Sequence, residues 1–260
     1  MMRTAAGLLI TAAVFYALAC LALYFAQRSL VFYPQPRRAG READLMKLQL
    51  RDAQLSVTTR QLAVPEAVIY FGGNAEDVSG SLPDLTAAFA QHALYLMHYR
   101  GYGGSGGKPS EEALFADALA LFDQVSAQHP KVTVIGRSLG SGVAVYLASA
   151  RPVARLVLVT PYDSMAELAA QQFPIFPVRW IMRDKFESWR YAPQVSAPTT
   201  LVAAENDAVI PRASTQLLLS RFKPGVAQQL VIAGTGHNTI SNDAAYARAL
   251  AGTASPASPR

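Results

Sequence analysis

The sequence predicts an α/β fold: a mainly parallel central sheet with helices on both faces, preceded by one apolar N-terminal helix. Three observations predict it. Short apolar runs bounded by Gly, Pro and Asn recur with helical stretches between them, the pattern of βαβ units. The 260-residue chain is 51% hydrophobic and 16% charged, an ordinary globular composition. Residues 5–26 carry no charge at all.

That first segment is long enough to matter. Its 22 residues would rise about 33 Å as a helix, enough to cross a hydrocarbon core of ~30 Å. A cleaved signal peptide would place Ala17-Leu18-Ala19 at the cut, but the apolar run continues through Leu21, Leu23, Tyr24 and Phe25. A lipoprotein reading at Cys20 meets poor neighbours in Ala17 and Leu21. An uncleaved anchor over residues 1–27 is therefore expected, with Tyr24 and Phe25 before Gln27-Arg28 as its interfacial end. Seven basic residues between Arg28 and Arg60 face only three acids, Glu42, Asp44 and Asp52. Beside a membrane span such a segment reads as lipid-headgroup attraction, and the positive-inside rule then favours a cytoplasmic body. No basic stripe interleaved with aromatics exists, so no nucleic-acid partner is expected.

The body is expected over residues 28–251, with a small polar tail at 252–260 that reads as disordered. Strands are expected at 55–64, 67–71, 93–99, 131–135, 155–159, 199–204 and 228–233. Helices are expected at 82–91, 139–150, 212–222 and 241–251, and another opens after Ser110, with Glu111 and Glu112 in its first turn. Residues 100–109 read as a flexible glycine-rich loop. Residues 162–193 form a short lid rich in Phe, Trp and Pro. Its rings (Phe173, Phe176, Trp180, Phe186, Trp189) either pack the lid onto the body or line an apolar acyl pocket.

Gly136-Arg137-Ser138-Leu139-Gly140 matches the G-x-S-x-G nucleophile elbow, which needs a strand, a sharp turn and an immediate helix. The expected strand 131–135 and helix 139–150 supply that context. Gly103-Gly104-Ser105-Gly106-Gly107 matches the same pattern, but its helix begins only near Ser110, so Ser105 is read as non-catalytic. A serine hydroxyl needs a base. His237 follows the last strand and Asp207 the one before it, giving the chain order Ser, Asp, His of the α/β-hydrolase fold. Glu205 and Asp243 are rival acids, one at a strand end and one at a helix cap. An oxyanion hole is expected from the backbone N–H of Leu139 and of Asn74, the latter in the loop Gly72-Gly73-Asn74. The histidines show no ligand spacing and Cys20 stands alone, so neither metal, cofactor nor internal disulfide is expected.

With these pieces in place the sequence resembles the single-pass, membrane-anchored α/β-hydrolases that include protein depalmitoylases, lysophospholipid lipases and bacterial peptidase-like hydrolases. The resemblance covers roughly residues 28–250. It is carried by Leu30-Val31-Phe32-Tyr33-Pro34, Gly73-Asn74-Ala75-Glu76-Asp77, Tyr99-Arg100-Gly101-Tyr102-Gly103, Gly136-Arg137-Ser138-Leu139-Gly140, Pro161-Tyr162-Asp163-Ser164, Asn206-Asp207 and Gly236-His237-Asn238. It implies Ser138 as nucleophile, Asp207 as orienting acid and His237 as base. It also implies structural roles near the site for Arg100 and Asp163, read as a buried or rim ion pair. One position departs: the family usually has His where Gly72 stands, so a less rigid oxyanion loop is expected.

The expected activity is hydrolysis of a carboxylic ester or thioester, of lipid or acyl type, through an acyl-enzyme. A peptidase using the same residues and a catalytically inactive membrane-bound interaction module are the alternatives. The oligomeric state is left open. No expected site residue precedes Asn74, so the anchor is expected to be separable from the chemistry.

Overall fold

The computed structural model describes residues 2–38, 41 and 44–252. The expected disordered tail, from residue 253 on, lies outside the described residues. The strands are β1 (Leu45–Gln49), β2 (Gln54–Arg60), β3 (Glu66–Phe71), β4 (Ala93–Met97), β5 (Lys131–Arg137), β6 (Arg155–Val159), β7 (Thr199–Ala204) and β8 (Ala227–Ile232). The helices are α1 (Met2–Val31), α2 (Leu82–Ala88), α3 (Glu111–Ser126), α4 (Leu139–Ala150), α5 (Met165–Gln172), α6 (Val178–Ile181), α7 (Arg212–Leu219) and α8 (Ala244–Ala251).

All the strands join one sheet in the order β1-β2-β4-β3-β5-β6-β7-β8. β2 pairs antiparallel with β1 and β4, and every other pairing is parallel. Both faces of the central strands are covered, so these strands are apolar throughout rather than alternating. In β3, Ala67, Ile69 and Phe71 enter the core beneath α3 and α4, while Val68 and Tyr70 enter the one beneath α2 and α8. β6 divides in the same way, Leu156 and Leu158 to one face, Val157 and Val159 to the other.

The chain leaves β3 for β4 on one side and returns to β5 on the other, so strand order reverses between β3 and β5. The carboxyl ends of those two strands therefore flank a crevice, the usual ligand position in open α/β sheets.

α1 is one unbroken helix through Val31, so the expected boundary at residue 27 falls inside it. Within the span Thr4–Val31 the most apolar 18-residue window has mean hydropathy 2.3, and none of that window is buried against the protein. Its C-terminal half lies along the segment joining β6 to β7, which carries α5 and α6. Arg28 Nε pairs with Asp184 Oδ2 at 2.8 Å, and the Tyr16 ring stacks on Phe176.

Candidate active site

The sharp turn at Ser138 is built from small residues. Ser138 has φ 50° and ψ −118°, a positive-φ conformation unusual for a side-chain-bearing residue, held between β5 and α4. A Cβ on Gly136 would lie 2.3 Å from the Gly140 carbonyl oxygen, and one on Gly140 would lie 2.1 Å from that of Phe71. Only glycine fits either place, which is the physical content of the G-x-S-x-G pattern. The turn thrusts the Ser138 hydroxyl into the crevice at the head of α4.

His237 Nε2 lies 3.1 Å from Ser138 Oγ. Its Nδ1 lies 2.9 Å and 3.1 Å from the two Asp207 carboxylate oxygens. Asp207 Oδ1 also accepts the backbone N–H groups of Val209 and Ile210, at 2.9 and 2.7 Å. Burial pushes the Asp207 carboxyl up; the hydrogen bond from His237 and those two backbone donors outweigh it and hold the group below its ordinary value. The carboxylate thus stays charged beside the imidazole and fixes its orientation. The arrangement can take a proton from the serine hydroxyl.

The rival groups are engaged elsewhere. Glu205 accepts the Gly234 N–H at 2.7 Å and so ties the Asp207 loop to the His237 loop. Asp243 caps α8 through the Ala245 N–H at 2.7 Å. Ser105 is buried; its hydroxyl donates to the His98 carbonyl and accepts the Ser56 N–H, each at 2.8 Å. The 100–109 loop is accordingly a bonded turn rather than the flexible loop expected from its glycines. It turns on left-handed glycines, φ 80° at Gly101 and 85° at Gly104, and is closed by a Gly101 N–H bond to the Ser105 carbonyl at 3.1 Å.

Asn74 follows β3 and faces the elbow. As the first residue of α4, Leu139 has an N–H without an intrahelical acceptor, and Leu139 lines the same cleft as Gly73 and Asn74. A Cβ on Gly73 would stand 3.8 Å from the Ser138 Cβ, so this loop adjoins the serine directly. The loop is not loose despite Gly72. Glu76 clamps it: one carboxylate oxygen accepts the Gly73 N–H, the other the hydroxyls of Tyr70 and Ser81, all at 2.8 Å. Arg137 Nη1 approaches Glu76 at 3.7 Å. A side chain at Gly72 would collide with Val78 at 2.5 Å, so Glu76 and Val78 fill the space a histidine would need. Sequence reasoning missed Glu76 and Arg137, whose partnership spans 61 positions and has no local pattern.

Arg100 and Asp163 both form ion pairs, but not with each other. Arg100 is bound by Asp117 at 2.8 Å and Asp52 at 2.6 Å, while Asp163 faces Arg221 at 3.6 Å. Three chain-distant partners replace one expected pair.

A cleft of about 420 Å³ opens over Ser138, lined by Gly73, Asn74, Tyr162, Leu168, Ile210 and His237 among others. The lid aromatics divide. Phe186 is buried against Phe32 and Phe115, Phe176 meets α1, and Trp180 stands 88% exposed.

Comparison with known proteins agrees with this architecture. An uncharacterized protein of Mycobacterium tuberculosis is 38% identical over 181 residues, 66% of this chain and 63% of its own length. The lysophosphatidylserine lipase of Danio rerio is 29% identical over 206 residues, 70% of this chain and 52% of its own. The chain thus spans roughly half to two thirds of the curated relatives it matches. An esterase of Pyrococcus furiosus superposes with a TM-score of 0.65 at 17% identity, covering 81% of this chain and 93% of that one. A family model described as serine aminopeptidase, S33, matches residues 64–194, the stretch from the turn before β3 through the lid. With that match over half the chain, on this sheet order and this elbow, the protein belongs to the S33 serine aminopeptidase family of α/β-hydrolases.

Proposed function

We propose that the protein is a serine hydrolase that cleaves a carboxylic ester or thioester of a lipid or acyl substrate. The observation that carries this reading is the 3.1 Å contact between His237 Nε2 and an elbow serine, with Asp207 fixing the far side of the ring.

In this reading Ser138 Oγ attacks the carbonyl carbon as His237 takes its proton. The carbonyl oxygen becomes an oxyanion, held by the N–H groups of Leu139 and Asn74 at the positive end of α4. The intermediate collapses to an acyl-enzyme, and His237 returns the proton to the departing alcohol or thiol. Water then repeats the sequence on the acyl group, with His237 again as base, and frees the acid. No cofactor enters these steps. α1 serves as the membrane anchor that brings the cleft to its substrates.

Amide cleavage is a second reading, favoured by the description of the matching family model. An aminopeptidase must hold an α-ammonium group. Among the described residues lining the cleft, Glu76 is the sole carboxylate, and it is already taken by Gly73, Tyr70, Ser81 and Arg137. This weighs towards esters.

The test is a panel of esters, thioesters and aminoacyl amides graded by acyl length, with Ser138→Ala as the control. Ester or thioester turnover that vanishes in Ser138→Ala supports the proposal. Amide turnover exceeding ester turnover moves the protein to the peptidases. No turnover and no labelling by a fluorophosphonate probe leaves the inactive interaction module.

A further inference from the structure

A second cavity, of about 480 Å³, lies between α1 and the lid, within the ~300–1,000 Å³ range of small-molecule sites. Leu23, Leu30 and Val31 of α1 form one wall, and Leu168 of α5 with Ile181 and Met182 around α6 form another. The cavity is continuous with the Ser138 cleft: Asn74, Met165, Leu168 and Val209 line both. Its polar lining residues include Gln27 and Asn74, and both spend their side chains on backbone. Gln27 donates to the Tyr24 and Ile181 carbonyls and accepts the Arg183 N–H; Asn74 donates to the Val31 carbonyl. Gln172, exposed at the end of α5, is the third polar residue of the lining, and the other lining side chains are apolar.

The α1 wall is fixed. Arg28 makes two bonds to Asp184 near one end, and the Tyr16 hydroxyl donates to the Ile175 carbonyl at 2.8 Å near the other. Tyr16 and Arg28 stand twelve positions apart, about 18 Å along the helix axis. The lid therefore follows the membrane-spanning helix well into its apolar part. There it presents Trp180 at 88% exposure and Ile175 at 71%. Bare aromatic and branched side chains beside a spanning helix suit the interfacial layer of a bilayer, not water.

We infer that α1 is a wall of the acyl-binding site: the acyl chain of a membrane-lipid ester lies between α1 and the α5–α6 lid, its carbonyl at Ser138. The inference rests on the reading of Ser138 as nucleophile. It revises the expectation that anchor and chemistry are separable, since removing α1 opens one side of the cavity. Short esters need only the Ser138 cleft and are still cleaved after that loss, at the lower rate of an Asn74 loop no longer tied to Val31; long chains lose their cavity as well. Each methylene that enters the cavity raises kcat/KM by about fourfold until the space is filled.

The test uses the full-length protein in detergent micelles, where anchoring no longer concentrates enzyme on substrate. The readout is the ratio of kcat/KM for p-nitrophenyl palmitate to that for p-nitrophenyl butyrate. Leu30→Trp and Ile181→Trp, which fill the cavity beyond the Ser138 cleft, are expected to lower that ratio at least tenfold. Leu9→Trp, on the exposed part of α1, is expected to leave it unchanged. A ratio unmoved by both cavity variants overturns the inference. A measurement on the unaltered protein covers variants that fail to fold. A long-chain alkyl fluorophosphonate with a terminal diazirine is attached, fluoride departing, and irradiated. Crosslinks to residues 23–31 support the inference, and crosslinks confined to other segments overturn it. Absence of any phosphonate adduct on Ser138 instead sinks the underlying reading of the nucleophile.

Discussion

Asn74 Nδ2 donates to the main-chain carbonyl of Val31 at 3.2 Å, so the loop beside the elbow serine is fastened to the last turn of the N-terminal helix. The Asn74 carbonyl in turn accepts the Tyr33 N–H at 3.1 Å and the Tyr102 hydroxyl at 2.7 Å. The side chain caps an orphan carbonyl of the helix and leaves the backbone N–H to the proposed oxyanion hole. Asn74→Ala keeps that N–H but frees the loop. It is expected to lower kcat on a short ester by roughly tenfold, with KM little changed, because a donor displaced from the oxyanion position costs transition-state binding. Steady-state kinetics on p-nitrophenyl butyrate separate the two constants; an unchanged kcat shows that the tether does not position the loop.

Asp207→Asn is expected to fold normally and lose about 10⁴-fold in kcat, because an amide at this place favours the wrong imidazole tautomer. Asp243→Asn keeps a capping oxygen on α8 and is expected to leave turnover near that of the unaltered protein. Glu205→Gln is expected to be similarly mild. Near-normal turnover in Asp207→Asn would move the orienting acid to another residue.

Ser105→Ala is expected to retain full fluorophosphonate labelling yet unfold more easily. Its hydroxyl satisfies a buried N–H of Ser56 and donates to a buried carbonyl of His98. Leaving such groups unpaired costs about 1–3 kcal/mol, which urea unfolding followed by fluorescence resolves.

Much of this was legible in the sequence, and the reasons differ by element. α4, β6 and β7 begin and end where their apolar runs meet Gly, Pro or charged residues, so local signals and tertiary structure agree. β1 was missed because it is a short edge strand with only Leu48 buried, flanked by basic residues that read as a headgroup-facing segment. α5 and α6 were missed because eight and four residues carry little periodicity in a Pro-rich stretch. Ser138 could be placed from the G-x-S-x-G elbow between a strand and a helix, and Asp207 and His237 from chain order and strand ends; the structure brings the three together. The Glu76 clamp and the Asp117 and Asp52 partners of Arg100 could not be read, since nothing in the local sequence records which distant side chain a buried charge will meet.

His98 gives the fold a pH dependence separate from the chemistry. Its ring is buried against Thr58 Oγ1 at 2.9 Å, and burial pushes its pKa from 6.5 down to about 4. The unfolded chain therefore binds a proton near pH 6.5 that the folded chain refuses until about pH 4. Stability from this group is present above pH 6.5, is lost as pH falls through that window, and levels off below about pH 4. The loss is on the order of 3 kcal/mol across the window. Urea unfolding at stepped pH is expected to show this slope in the unaltered protein and a flatter one in His98→Gln. Equal slopes in the two would assign the dependence to other groups.

In the proposed reaction the Ser138 hydroxyl, served by His237 and Asp207, is the nucleophile of an ester hydrolase. The most direct measurement is peptide mapping by mass spectrometry after the full-length protein, in detergent, is stopped by acid during turnover of a slowly deacylated ester. An acyl group is expected on the peptide carrying Ser138, absent in Ser138→Ala and sharply reduced in His237→Ala. Ester turnover with the acyl group on any other residue, or turnover undiminished in Ser138→Ala, would contradict it.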